Sequence, residues 1–310
     1  MVKSPHLPVG ESQDALFETV FVHEIALAIL ENVMILSHYQ ATALLAAQRA
    51  GRSTAIISLD LGLTATEVTL TPDRLILPDA ILAWKEIEEI ARHETACFII
   101  ENDHAEMIRG YSDLTGRVYG LMPTESAPTM LISGLPMHRI KGTDPYQDTL
   151  AKIKAVAPIT GRVLDTCTGL GYTAIEAAKT AEHVITIELD PTAQQMARYN
   201  PWSRALFDNP KIEQIVGDAS EVMTLFEDGV FSCILHDPPM MSLAGELYSG
   251  EFYRDCWRVL RRNGKLFHYI GDPDSKSGAR TTRGVVRRLQ EAGFTRVVPK
   301  PQAFGVAAYK

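Results

Sequence analysis

Cysteine is scarce. The four residues Cys97, Cys167, Cys233 and Cys256 form no C-x-x-C pair and sit in apolar stretches. This excludes a disulfide framework and a thiolate metal site, so no metal is expected and the thiols read as the reduced cysteines of a cytoplasmic protein. Long apolar runs are missing as well. The most apolar region, Phe21 to Leu36, is interrupted by His23, Glu24, Glu31 and Asn32, so no membrane span is expected. The first residues offer one lysine, two prolines and early acids in place of a basic start and an apolar stretch, so no secretory leader is expected. Internal repeats and low-complexity segments are absent, which excludes solenoid and fibrous architectures. What remains is an ordinary globular balance, 46% hydrophobic and 22% charged over 310 residues. That is enough chain for about two domains without staples.

The net charge of −8 argues at first against a nucleic-acid partner. The charge is unevenly spread, however. Residues 1–150 carry 10 Lys and Arg against 20 Asp and Glu, whereas the remainder carries 20 against 18. Between Arg254 and Lys300 there are 12 bases and 4 acids, a local asymmetry that can shape a binding surface.

Residues 14–50 are rich in Ala, Leu, Ile and Glu, with Asp14 as a cap and Gly51 as a stop, which predicts one long helix or two shorter ones. This apolar segment could pack on its own domain or on a second copy, as a homodimer. From 55 to 135, short β-like runs alternate with Gly, Pro, Asp and Asn, interrupted by an acidic helical stretch, Asp79–His93. This predicts a small N-terminal α+β accessory domain over 1–135, followed by a connecting segment with a helix over 136–160. From 161 to 310 the rhythm becomes β-α-β. Strands at Arg162–Asp165, His183–Glu188, Lys211–Val216, Val230–His236 and Lys265–Ile270 alternate with helices at Tyr172–Thr180, Pro191–Tyr199, 219–226, Gly245–Leu260 and Thr281–Ala292. Two closing strands follow with no helix between them. The fold class is therefore α/β: a doubly wound, mostly parallel seven-stranded sheet with an antiparallel edge strand.

In such a sheet the ligand lies at the strand carboxyl ends. The first strand ends in Asp165-Thr166-Cys167-Thr168-Gly169-Leu170-Gly171-Tyr172. Gly169 and Gly171 let backbone approach a ligand, and the helix that follows contributes its positive end. Glu188 closes the second strand 19 residues after Gly169, where a carboxylate can accept both ribose hydroxyls of an adenosine. Gly217-Asp218-Ala219 closes the third. Asp218 can take an adenine amino group, cap the next helix, or do both. The fourth ends His236-Asp237-Pro238-Pro239-Met240. The two prolines fix a turn that cannot continue the strand, and the Asp237 carboxylate with the Asp237 and Pro238 carbonyls faces the crevice as acceptors.

Together these four strand ends resemble the class I S-adenosylmethionine-dependent methyltransferases over about 161–310. Adding Ser133-Gly134-Leu135-Pro136-Met137-His138-Arg139-Ile140-Lys141-Gly142-Thr143-Asp144-Pro145 and Ala197-Arg198-Tyr199-Asn200-Pro201-Trp202-Ser203, nearly the whole chain is similar to a family of predicted methyltransferases best known from archaea. The resemblance implies S-adenosylmethionine as cofactor. It places Asp165 at the amino group or a neighbouring water of the methionine end, Gly169 and Gly171 beneath the cofactor, Glu188 on ribose and Asp218 on adenine. Thr166, Cys167, Tyr172, Leu189 and Ala219 complete the expected contact set. Two positions depart from the superfamily pattern. Cys167 replaces the first glycine of the loop, and Met240 stands where amino-directed enzymes commonly carry an aromatic residue.

Asp-Pro-Pro favours nitrogen as the atom methylated. Acceptors at Asp237 and Pro238 would bind N–H groups of a planar amino nitrogen and leave its lone pair aimed at the methyl. His236 and His138 are candidate proton acceptors. Tyr146 is a candidate cover for the methionine end, and Met240 can pack on a planar substrate. The polar segment 271–283 carries Lys276, Arg280 and Arg283 at a strand carboxyl end, suited to an anionic acceptor. RNA is the leading acceptor class, ahead of a small anionic metabolite. Two other functions remain open at this stage. An NAD-dependent oxidoreductase would explain Gly-x-Gly and Glu188 but not Asp165, Asp218 or Asp237-Pro238-Pro239. A non-catalytic binding module would not need Asp237. An aminopropyl transferase shares the fold, but the Gly-rich acidic loop of that group is not found.

Overall fold

The structure is a computed structural model that describes residues 33–241 and 244–310. In chain order the elements are β1 (Met34–Ser37), α1 (His38–Arg49), β2 (Thr54–Ile57), β3 (Thr66–Leu70), β4 (Arg74–Ile76), β5 (Ile81–Ala83), α2 (Trp84–Arg92), β6 (Cys97–Glu101), β7 (His104–Met107), β8 (Arg109–Ser112), β9 (Arg117–Met122), β10 (Thr129–Ile132) and β11 (Leu135–Pro136). The second half holds α3 (Pro145–Ala155), β12 (Arg162–Asp165), α4 (Tyr172–Ala178), β13 (His183–Glu188), α5 (Pro191–Tyr199), α6 (Arg204–Asp208) and β14 (Ile212–Val216). It continues with α7 (Ala219–Leu225), β15 (Phe231–His236), α8 (Gly250–Val259), β16 (Leu260–Tyr269), α9 (Lys276–Glu291), β17 (Arg296–Lys300) and β18 (Gly305–Tyr309).

Among the described residues there are four sheets. Three small antiparallel ones, β1-β6-β7, β2-β3-β4-β5 and β11-β10-β9-β8, precede a seven-stranded sheet of order β14-β13-β12-β15-β16-β18-β17. In that sheet β12 pairs in parallel with β13 and with β15, and β18 alone runs antiparallel to both its neighbours. The antiparallel strand is thus inserted between β16 and β17, not left at the edge as expected. The order reverses at β12, which puts the switch-point crevice beside Asp165, Glu188 and Asp237.

Local chemistry sets the helix starts that matter for the crevice. Asp144 caps α3, accepting from the Tyr146 and Gln147 N–H groups at 2.9 and 3.0 Å, and Pro145 occupies the first turn, where a missing N–H costs nothing. Asp190 and Pro191 repeat the device at α5.

Several elements differ from the expectation. Of the helix expected over 14–50, residues 14–32 lie outside the described residues, and the rest is not wholly helical. Met34–Ser37 is a fully buried strand paired with Cys97–Glu101, because a four-residue apolar run can serve either structure. The helix begins only at His38, where Ser37 and Gln40 form a reciprocal capping box. The acidic stretch from Asp79 opens as β5 and turns helical at Trp84. The helix expected at Gly245 starts as a 3-10 turn, Gly245–Tyr248, and becomes α-helical after the Ser249 cap. The supposed loop 271–283 is helical from Lys276, since Ser275 accepts from the Gly278 N–H at 2.9 Å.

One hydrophobic core spans both parts of the chain. It joins Ile108, Tyr119, Leu121 and Met130 of the small sheets to Ala193, Met196, Val163 and Leu170 of the large one. Tyr119 donates its hydroxyl to Asp190 at 2.8 Å and Thr115 donates at 2.9 Å, so the β8–β9 hairpin is tied to the cap of α5. Trp202 Nε1 donates to the Leu61 carbonyl at 3.0 Å, a second tie.

Gly171 starts α4 at φ +77°, and a Cβ there would meet Leu206 side-chain atoms at 2.7–3.1 Å. Gly171→Ala should therefore lower unfolding stability by about 1–3 kcal/mol. Chemical denaturation followed by circular dichroism would show this, and an unchanged midpoint would refute the close approach.

Candidate active site

The carboxyl ends of β12, β13, β14 and β15 line a cleft of about 190 Å³, covered by residues of β9 and β10 and by Met137 and His138 of the connecting segment. Gly169 turns beneath it at φ +53°, and an added Cβ would meet nothing nearer than Met130 Cε at 4.0 Å. Glu188 binds this loop to its own strand end. Its two oxygens accept from the Gly169 N–H at 2.8 Å and the Asp190 N–H at 3.0 Å. Burial raises the Glu188 carboxyl above its ordinary value, and those two N–H groups oppose the rise. Asp218 lines the cleft and caps α7, one oxygen accepting from the Ser220 N–H and hydroxyl at 2.7 and 2.6 Å. Its expected double role is therefore sterically open.

Asp165 lies deeper than the resemblance implies. It is fully buried and does not line the cleft. Thr186 and Thr173 donate to its oxygens at 2.8 and 3.2 Å. Burial pushes its carboxyl up to about 7, against the pull of those hydroxyls. It organises the loop from below. Thr166, Cys167, Tyr172, Leu189 and Ala219 all line the cleft. Burial, with Glu188 adding to it, raises the Cys167 thiol well above its ordinary value, so the thiol stays protonated.

The β15 end of the cleft is built around Asp237. Its side chain, 18% exposed, receives Lys152 Nζ at 2.6 Å, while Lys152 also forms an ion pair with Asp148 at 2.8 Å and is itself 1% exposed. Arg139 closes the far side, reaching Asp148 at 3.0 Å and lying over the Phe304 ring at 3.5 Å. Burial would depress the Lys152 ammonium, but Asp237 and Asp148 more than offset this and raise it. Burial raises the Asp237 carboxyl, and Lys152 counters it. Pro238 and Pro239 follow along the cleft wall, and Tyr248 donates to the Pro239 carbonyl at 3.0 Å, which pins the turn.

The structure does not bring together every expected residue. His236 is buried with both ring nitrogens committed. Nε2 donates to the Leu247 carbonyl at 2.9 Å, so Nδ1 must accept from the Thr166 hydroxyl at 2.6 Å. It therefore has no nitrogen left for a substrate proton. His138 does line the cleft, 3.0 Å from the Thr129 hydroxyl. Burial and the charge of Lys152 push it down to about 3, which makes it a neutral and weak base. Tyr146 lines a separate groove beside Trp202, 5.6 Å between rings, and not the cleft. Met240 is 54% exposed and outside the lining. Lys276 is the first residue of α9, and Arg280 and Arg283 are exposed along it and do not line the cleft. Sequence reasoning missed Lys152, Asp148 and Asp190. The four-residue spacing of Asp148 and Lys152 marks one helix face, but a partner 85 residues away carries no local signal.

Comparison with known proteins agrees with this architecture. Residues 146–263 match the family described as Conserved hypothetical protein 95. A protein of the archaeon Methanocaldococcus jannaschii, described as Uncharacterized protein MJ1233, is 42% identical over 260 residues, 82% of this chain and 88% of that protein. A polyamine aminopropyltransferase of Thermotoga neapolitana is 28% identical over 148 residues, 46% of this chain and 50% of that enzyme. Among solved structures, a spermidine synthase in complex with the transition-state analogue AdoDATO superimposes with a TM-score of 0.54 at 19% identity, over 67% of this chain and 76% of that one. The spermidine synthase of Thermotoga maritima gives 0.52 at 18% identity, over 67% and 75%. At these identities the structural likeness is one of fold. With 42% identity to the M. jannaschii protein over most of both sequences, the chain belongs to that archaeal family, on the α/β fold that class I S-adenosylmethionine-dependent methyltransferases share with spermidine synthase.

Proposed function

We propose that the chain is an S-adenosylmethionine-dependent methyltransferase directed at nitrogen. The observation that carries this is the Asp237-Pro238-Pro239 turn in the wall of the cleft, with its carboxylate clamped by Lys152 and its backbone pinned by Tyr248. The donor set fits an adenosyl ligand, with carboxylates at two adjacent strand ends, Glu188 and Asp218, and a glycine turn open toward the cleft. Bound there, S-adenosylmethionine would supply a methyl group already activated by its sulfonium. The chain's own task is alignment, which can contribute up to about 7–11 kcal/mol in the best cases. Asp237 accepts an N–H of the substrate through the oxygen that Lys152 leaves free, so the nitrogen lone pair faces the methyl. When the nitrogen has taken the methyl and sheds a proton, that oxygen is the first acceptor on the way to solvent.

RNA is the acceptor class we favour. The helix α9 leaves the same sheet end as the cleft and exposes Arg280, Arg283 and Arg287, so an anionic backbone can lie outside while one base enters. A second reading has its own support in the aminopropyltransferase relatives and the spermidine synthase fold. There the same cleft would hold a sulfonium donor of an aminopropyl group. The two readings part on which group of a doubly labelled donor reaches the acceptor.

Glu188→Ala should weaken S-adenosylmethionine binding at least about tenfold, since each lost charge-assisted bond to ribose is worth about 1.5–3 kcal/mol. Unchanged affinity by calorimetric titration would remove Glu188 from the ribose. Asp237→Asn should leave that affinity within a few-fold and cut labelled-methyl transfer to cell extract by about a hundredfold or more. Near-normal transfer would make the turn merely structural. Neutralising Lys276, Arg280 and Arg283 together should lower the slope of log affinity for single-stranded RNA against log salt by about 2. An unaltered slope, or no salt-dependent RNA binding in the wild type, would leave a small anionic molecule as acceptor.

A further inference from the structure

We infer that Lys152 sets the acceptor class of this cleft: its buried ammonium, seated on Asp237, lets an uncharged nitrogen approach and shuts out an alkylammonium. The inference deepens the methyl-transfer reading and rests on it for the group that is moved.

A lone carboxylate in a cleft attracts any amine, and most alkylamines are protonated near neutral pH. Here the carboxylate is not alone. Lys152 Nζ sits 2.6 Å from Asp237 and 2.8 Å from Asp148. Its side chain is 1% exposed, and the Tyr269 ring lies 4.7 Å from the ammonium. Arg139 supplies a second cation to Asp148. Within this cluster two cations face two carboxylates, so Asp237 already has its counter-charge. The ammonium has no route to water, so an incoming alkylammonium would meet it across one carboxylate at low dielectric.

Of the other groups about Asp237, Asp165 on β12 is fully buried and bonded to two threonines, and burial together with the charge of Asp237 raises its carboxyl, which lowers its own share of negative charge. His138 is neutral, and Tyr248 and Tyr269 keep their protons because burial raises both. Glu246 lines the cleft but is exposed, where water screens it. Asp237 Oδ1 has no protein partner among the described residues and can take one N–H. A planar amino or amide nitrogen offers that N–H without a charge. Lys152 acts through Asp237 and is a positioning residue.

The test uses the full chain with S-adenosylhomocysteine bound, at pH 7.5, and putrescine as the ammonium probe. The wild type should show no saturable putrescine binding, and Lys152→Met should bind it saturably, with a dissociation constant at least tenfold below the highest concentration tried on the wild type. In parallel, 13C spectra of labelled aspartate, with Asp237 assigned through Asp237→Asn, should place the Asp237 titration at least one pH unit higher in Lys152→Met. The sign follows because removing a cation disfavours the carboxylate. Lys152→Arg should restore the wild-type titration. Saturable putrescine binding by the wild type, or an unmoved titration in Lys152→Met, would overturn the inference. If Lys152→Met fails to fold, Asp148→Asn serves in its place. It leaves Lys152 to Asp237 alone and should move the titration at least half a unit lower, and no movement overturns the inference equally. Neither readout requires turnover. Failure of the methyl-transfer reading would show separately, as no labelled methyl in any extract fraction.

Discussion

A buried ammonium shared by two carboxylates is the constraint on which the acceptor end depends. Lys152 could not remain charged at 1% exposure without Asp148 and Asp237, and Asp237 could not hold one orientation in the cleft without Lys152. The group also joins three distant parts of the chain. Asp148 and Lys152 belong to α3, Asp237 ends β15, and Arg139 reaches across to Asp148, to the Gln302 carbonyl and to the Phe304 ring beside β18. Loss of one charge would leave its neighbours buried with one counter-charge fewer, so the members of the cluster depend on one another.

The cofactor end follows a different principle. There the chain uses its own backbone N–H groups and hydroxyls to hold carboxylates in place. Glu188 takes two N–H groups, Asp190 takes the Tyr119 and Thr115 hydroxyls, and Asp165 takes two threonines. Because Tyr119 and Thr115 come from the small sheets, the first half of the chain contributes directly to the wall of the cleft. Its core is continuous with that of the large sheet, which gives the accessory segment a part in the site.

Much of this was legible in the sequence, and the limits have physical causes. Alternating strands and helices after 161 gave the parallel sheet, because each crossover needs a helix. Gly169, Glu188, Asp218 and Asp237 line one cleft, as expected from the sequence, because strand ends converge on one edge whatever the details of packing. Asp165 was placed too high, since a strand-end acid can point into the crevice or back into the sheet, and only Thr173 and Thr186 decide which. The helix was expected to start at Thr281 and not at Lys276, because Ser275 was not recognised as its cap. Tyr146 was assigned to the wrong side of α3, where Trp202 receives it. His236 read as a free base because Leu247 and Thr166, which use its nitrogens, are distant or face it only in the fold. Long-range ion pairs leave no periodic trace, and so Lys152 was missed.

The most direct measurement is a crystal structure of the complex with S-adenosylhomocysteine. The account predicts the ribose hydroxyls on Glu188 and the Lys152 ammonium still between Asp148 and Asp237, with the second Asp237 oxygen open to the cleft. A Lys152 side chain swung away from Asp237 to bind the carboxylate of the ligand, or a ribose lying away from Glu188, would contradict it.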